Sequence, residues 1–219
     1  MSLRERKKLA TRRQLRQAAL DLVAERGFSH VTVEEIAEAA NVSPRTFFNY
    51  FPSKEAAVFG ADPERDAAVR ARIVHEAPGE PVLDVLRVVM ASEARKVADE
   101  FAEHGGDPVH WHKRMKEARS DPHLRAAHAA RLAMIERSLA EALAERLGTD
   151  LERDPYPGLI AAMATGVFRS SMTFWAGSGG AVPLDVLIDL AFRALAEGLP
   201  ERSALRHVTG NVTDRKEGH

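Results

Sequence analysis

The segment Thr32 to Glu55, TVEEIAEAANVSPRTFFNYFPSKE, carries the reading that decides the fold. Thr32 followed three residues later by Glu35 has the spacing of a capping box, in which hydroxyl and carboxylate each take an orphan backbone N–H at a helix start. A short helix is therefore predicted from Val33 to Ala40, ended at Asn41. Ser43 can cap a second helix with Pro44 in its first turn, where a missing N–H costs nothing. That helix should run to about Phe51. Pro52 and Ser53 break and restart the chain, so that a further helix begins near Lys54 and reaches Phe59 or Gly60. Two short helices joined by Asn41, Val42 and Ser43 make a helix-turn-helix arrangement.

The second short helix has two faces. Phe47 and Phe51, four residues apart, lie on one side and can anchor the helix in a small core with Ile36, Ala37 and Leu22. The other side presents Arg45, Thr46 and Asn49, with Phe48 and Tyr50 beside them. Arginine pairs with guanine, asparagine with adenine, and threonine or phenylalanine can touch a thymine methyl. The helix start at Ser43 to Arg45 offers N–H groups and a positive dipole end to a phosphate, and Lys54 adds its charge at the next helix start. Core packing competes for the aromatic residues: Phe47 and Phe51 are assigned to the core, while Tyr50 is divided between packing and phosphate.

Upstream, Leu15, Ala18, Ala19, Leu22 and Val23 recur at three- and four-residue steps and predict a first helix of about five turns, which Gly27 stops. Residues 1–16 hold seven basic side chains against one acid. The whole chain, 219 residues with 31 Lys and Arg against 32 Asp and Glu, is nearly neutral, yet residues 1–60 carry +3 and the remainder −4. Such sign asymmetry points to one polyanion-binding end. The basic arm, Arg4 to Arg13, is expected along DNA phosphates or in a neighbouring minor groove, with a solvated charge run as the plain alternative.

Downstream the elements lengthen. Asp62-Pro63 opens a polar helix to about His75. A stripe from Val82 to Val97 marks the next, closed by the Gly105-Gly106-Asp107-Pro108 loop. A helix is predicted from about Val109 to Arg119, separated by Asp121-Pro122 from a long one that carries Leu124, Leu132, Ile135, Leu139, Leu143 and Leu147 with Gly148 as its cap; further helices run from Tyr156 to Trp175 and from Leu184 to Leu199. Alternating strand patterns are nearly absent. The fold class is therefore all-α, with about nine to ten helices, divided into a DNA-reading domain over 1–60, a larger helical domain over 61–200, and a disordered tail over 201–219.

The lack of cysteine excludes a disulfide framework, a thiol nucleophile and a thiolate zinc site. His110 and His112 sit about 200° apart on a helix and cannot aim at one ion, so no metal is expected. No apolar stretch of secretory length follows the basic start, and the longest apolar run, Leu159 to Phe168, is about half a membrane span. No membrane association is expected, and cytoplasmic residence follows by default. Gly-rich phosphate loops, nucleophile elbows and paired-histidine metal motifs are missing, so no catalytic residues and no cofactor are assigned.

The pattern Thr32-Val33-x-Glu35-Ile36-Ala37-x-Ala39-Ala40-x-Val42-Ser43-x-x-Thr46-Phe47-x-x-Tyr50-Phe51-x-Ser53-Lys54-Glu55 resembles the DNA-binding domain of the TetR family of transcriptional regulators. The resemblance covers roughly residues 10–60. It implies that the second short helix enters the major groove, that residues Pro44 to Thr46 and Asn49 face bases, and that Tyr50 and Lys54 contact phosphates. Where the family often has tyrosine this chain has Phe48, so a hydroxyl contact is replaced by an apolar one or none. The expected DNA-facing set is Thr32, Ser43, Pro44, Arg45, Thr46, Phe48, Asn49, Tyr50 and Lys54.

The resemblance further implies an all-helical homodimer, paired through the helices over 156–175 and 184–199, with a small-molecule pocket in the second domain. Paired recognition helices about 34–36 Å apart would read a palindromic operator in double-stranded DNA. Trp111, Met115, Met134, Met163, Arg169 and Met172 are the candidate pocket residues, methionine being suited to an adaptable apolar wall. Arg169, in an otherwise apolar helix, needs either a salt bridge or an anionic ligand group. The leading reading is a ligand-responsive repressor. An activator, a DNA-binding protein without small-molecule control and, more distantly, a small-molecule enzyme stay open beside it.

Overall fold

The structure is a computed structural model describing residues 3–76, 79–103, 107–109, 112 and 121–199. Its described residues form nine α-helices and no strand: α1 (Leu3–Arg26), α2 (Val33–Ala39), α3 (Pro44–Tyr50), α4 (Lys54–Val58), α5 (Pro63–His75), α6 (Val82–Glu103), α7 (Pro122–Leu147), α8 (Tyr156–Gly177) and α9 (Leu184–Ala196), with a 3₁₀ turn at Phe28–His30. The all-α expectation holds. Most of the helix predicted over 109–119, and the tail predicted over 201–219, lie outside the described residues.

The chain divides into two compact units, residues 1–63 with 113–131, and residues 64–112 with 132–219. In the first, α1 departs from expectation. It is 24 residues long and begins at Leu3, so the basic run is wound into the helix instead of forming an arm ahead of it. The reason is local: Leu, Arg, Lys, Gln and Ala are good helix formers, and neither Gly nor Pro occurs before Gly27. Gly27, at φ 80°, ends the helix while its N–H still reaches the Val23 carbonyl. The buried stripe is Leu15, Ala19, Leu20 and Val23; Leu22, expected in the core, is only half-buried, and Leu20 takes its place.

The predicted capping box at the start of α2 is present. The Glu35 N–H donates to the Thr32 hydroxyl, and the Thr32 N–H donates to the Glu35 carboxylate at 2.8 Å. At the other end, Asn41 adopts φ 53°, its N–H reaches Glu38 O, and the Val42 N–H reaches Ala37 O. These paired bonds form a Schellman closure in which asparagine takes the left-handed position usually held by glycine. Ser43 and Ser53 then cap α3 and α4 by accepting from the N–H groups of Thr46 and Ala56. Ile36, Ala37, Phe47, Phe51, Ala57 and Val58 close the small core behind these helices.

The second unit is built on a larger apolar cluster. Val85, Leu86, Val89 and Met90 of α6 meet Leu139 and Leu143 of α7, Ile160, Ala161 and Ala164 of α8, and Leu184, Ile188 and Phe192 of α9. Trp175 packs edge-on against Phe101 at 5.4 Å between ring centres. Ion pairs stitch α6 to α9: Arg87 to Asp189 at 2.7 Å and Arg95 to Asp185. Glu93 is buried yet charged, taking Arg65 at 2.7 Å and Lys96 at 2.6 Å, with Arg72 at 4.0 Å.

Candidate nucleic-acid interface

Helix α3 sorts its side chains as the spacing requires. Phe47 and Phe51 are wholly buried, whereas Arg45 and Asn49 are exposed and Phe48 is 56% exposed. Pro44 occupies the first turn and is exposed; Thr46 and Tyr50 are half-buried at the edge of the same face. The Ser43 and Thr46 hydroxyls lie 2.9 Å apart, and Ser43 also receives the Thr46 N–H at 3.1 Å. Both hydroxyls are thus held in place by the cap. Phe48, edge-on to Phe47 at 5.5 Å, is an exposed ring fixed by a buried one.

Beside this face runs a groove of about 670 Å³. Thr46, Asn49 and Tyr50 of α3 form one wall, and Leu3, Arg4, Lys7, Lys8 and Thr11 of α1 form the other. Positions 4, 7, 8 and 11 fall on a single helical face, so the groove pairs the polar edge of α3 with three cations. These α1 residues are missing from the sequence-predicted set as individual positions. Their three- and four-residue spacing was the available signal, and it acquires meaning only once the run is helical.

The basic residues of α1 do not all serve that face. Arg12 turns inward: its guanidinium donates to Ala61 O at 2.6 Å, lies 3.7 Å from Asp62, and stacks over the Phe51 and Tyr50 rings at 5.1 and 5.9 Å. Arg16 lies against Gly60, where a Cβ would stand 2.6 Å from the guanidinium carbon. The Arg16 side chain is flexible and can give way, but Gly60 has φ +65°, a backbone conformation that favours glycine. The expectation that Arg4 to Arg13 line phosphates as one run is corrected for Arg12, which is engaged within the unit.

Thr32 and Lys54 are placed differently from the rest of the expected set. The Thr32 hydroxyl belongs to the capping box. The Glu35 carboxyl is held below its ordinary range, first by the Thr32 N–H, then by the Thr32 hydroxyl, with Arg26 at 3.0 Å adding its charge. Lys54 sends its ammonium to the carbonyls of Phe28 and Val31, 3.0 Å from each, with the Phe28 ring centre 4.1 Å away.

Among the described residues, the candidate pocket residues are not gathered into one place. Trp111 and Met115 lie outside the described residues. Met163 and Met172 pack, half-buried, against the apolar cluster with Val167 and Phe168. Met134 is 64% exposed, and Arg169 is exposed on α8. Among the described residues no helix is long and apolar enough to cross a membrane.

Both parts of the chain match known proteins. Residues 15–59 match the family model described as "Bacterial regulatory proteins, tetR family", and residues 80–200, more than half of the chain, match "MftR C-terminal domain". The chain is 35% identical over 173 residues to the HTH-type transcriptional regulator TcmR of Streptomyces glaucescens, covering 79% of this chain and 76% of that protein. Its fold is similar to the fatty acid degradation regulator FadR of Bacillus halodurans, with TM-score 0.55 and 22% identity over 88% of this chain and 97% of that one. It is equally similar to FadR of Bacillus subtilis, solved in complex with stearoyl-CoA, with TM-score 0.55 and 20% identity over 85% and 98% of the two chains.

Proposed function

The chain belongs to the TetR family of transcriptional regulators, and from that premise we propose that it is a ligand-responsive repressor that binds a palindromic operator as a homodimer. The observation that carries this reading is the groove shared by α1 and α3. Arg45 and Asn49 stand exposed on α3, and Arg4, Lys7 and Lys8 stand across the groove from Asn49. Arg45 and Asn49 read base edges, while the α1 cations neutralise flanking phosphates and the Tyr50 hydroxyl donates a hydrogen bond to one. Ser43 and Thr46 set the pitch of α3 through their cap, and Phe48 offers an apolar contact to a thymine methyl. Residues 61–200 sense an unidentified small molecule and dimerise.

The homodimer draws support from α8. Tyr156, Leu159, Met163, Gly166, Ser170, Phe174 and Gly177 repeat at three- and four-residue steps along one face, and none of them is buried. Tyr156, Leu159 and Phe174 are large apolar groups in water, and a Cβ built on Gly166 or Gly177 meets only open space. A second copy of α8 fits such a seam. A ligand that prefers one separation of the two α3 helices shifts DNA affinity by its differential affinity for the two states.

The test is selection of bound duplexes from a random pool by the full-length protein. An inverted repeat with half-sites about one helical turn apart is the expected product. Arg45→Ala should then relax preference at one base pair per half-site, by about 1–3 kcal/mol. Recovery of sequences without symmetry, or full discrimination by the Arg45→Ala protein, overturns the assignment.

A further inference from the structure

Lys54 opens α4, and its side chain runs back across the unit. Its ammonium has three protons to donate, and two of them meet carbonyls, Phe28 O and Val31 O, each at 3.0 Å. The Phe28 ring covers the ion from 4.1 Å, close enough for a cation–π contact, and both Phe28 and Val31 are themselves buried. The two carbonyls lie 26 and 23 residues earlier in the chain, in the turn that leads directly into Thr32 and the capping box of α2. A phosphate contact would require the ammonium to leave both carbonyls and the ring. We propose that Lys54 is a positioning residue for DNA binding: it latches the start of α4 to the start of α2 and so fixes the tilt of α3, which lies between them in the chain.

This inference rests on the DNA-reading role proposed above, and the experiment keeps the two apart. Full-length wild type, Lys54→Met, Lys54→Arg and Lys7→Met are compared by thermal unfolding, and by affinity for the selected duplex across a salt series. In a homodimer each substitution removes two phosphate-neutralising side chains, which lowers the slope of log K against log salt by about 1.8. A latch predicts that Lys54→Met lowers Tm by about 5 °C or more with the slope unchanged, whereas Lys7→Met lowers the slope and leaves Tm alone. Lys54→Arg decides the matter if Lys54→Met does not fold. Arginine suits a phosphate at least as well as lysine, but its guanidinium is longer-reaching and bulkier than the compact ammonium that the two carbonyls, each at 3.0 Å, and the Phe28 ring at 4.1 Å enclose. A latch therefore predicts a lower Tm and at least tenfold weaker binding for Lys54→Arg. The proposal is overturned if Lys54→Arg matches wild type, if Lys54→Met flattens the salt slope, or if Lys54→Met leaves Tm unchanged. A wild-type protein showing no salt-dependent duplex binding instead defeats the DNA-reading role, while the Tm values still judge the latch.

Discussion

Helices α2, α3 and α4 contain seven, seven and five residues, whereas α6, α7 and α8 contain 22, 26 and 22. Isolated helices below about 12–15 residues are marginal in water, so the two sets cannot be held in the same way. The short helices are stabilised at their ends: Thr32, Ser43 and Ser53 cap the starts, Asn41 and Gly60 close the stops, and Arg12 and Lys54 tie chain ends to carbonyls. The long helices are stabilised along their sides, by the apolar cluster and by charges such as Glu93 and Asp189 that bridge neighbouring helices. A unit built from end contacts keeps one whole face of α3 free for another molecule. The contrast predicts different weak points in each region.

The largest effect is expected where the first unit has no redundancy. Phe47 is wholly buried and touches both Phe48 and Phe51. Phe47→Ala should cost about 3–5 kcal/mol, because the small core cannot collapse around the void. Amide exchange protection should vanish over α2 and α3 while α6 and α9 keep theirs. Equal loss of protection in α6 would show that the two regions do not differ in the way argued.

A smaller effect tests the second region. Glu93 is only 5% exposed. Burial by itself raises its carboxyl, but hydrogen bonds from Lys96 and Arg65 more than reverse this, and the group titrates below its ordinary range. Glu93→Ala removes the hub and leaves Arg65 to Glu100 and the backbone carbonyl of residue 93. Arg65 is partly solvated, so the cost should be about 2–3 kcal/mol, below that of stranding a fully buried charge. Urea titration should show the loss, and DNA affinity measured well below the unfolding midpoint should be unchanged. A stability change under about 0.5 kcal/mol would remove Glu93 from the frame of this unit.

Legibility in the sequence follows the same division. Caps, turns and the inward Phe47 and Phe51 are properties of residues three or four apart, so the motif from Thr32 to Lys54 yields its helices, its core and its exposed face directly. The helical start at Leu3 was hidden because a run of like charges reads as a solvated arm until propensity is weighed residue by residue. The targets of Arg12 and Lys54 were hidden for a different reason: Ala61, Phe28 and Val31 receive these cations through backbone carbonyls, which leave no mark in side-chain identity. Residue type alone, with no spacing rule behind it, points to the pocket candidates, and Met134 shows the consequence, an exposed methionine that chemistry alone would place inside.

Acid separates the two regions most gently. Glu35 stands below its ordinary carboxyl range because the folded state supplies the Thr32 N–H and hydroxyl, neither of which the unfolded chain holds in place. A carboxyl depressed by folding contributes stability that is fully present above its unfolded value and is lost as pH falls through its folded value. Glu35→Gln should therefore destabilise α2 at neutral pH, and the difference from wild type should close as the pH drops past the folded value of Glu35. In the second unit Glu93, Glu76 and Asp189 are all lowered by arginine or lysine partners, so its acid loss should be the sum of several such groups and correspondingly steeper. Amide exchange at the first turn of α2 and in the middle of α6, followed together from neutral pH into acid, measures both slopes in one protein. A steeper acid loss at α2 than at α6 would mean that its end contacts carry more charge-dependent stability than the side-by-side ion pairs, reversing the division of labour between the two units.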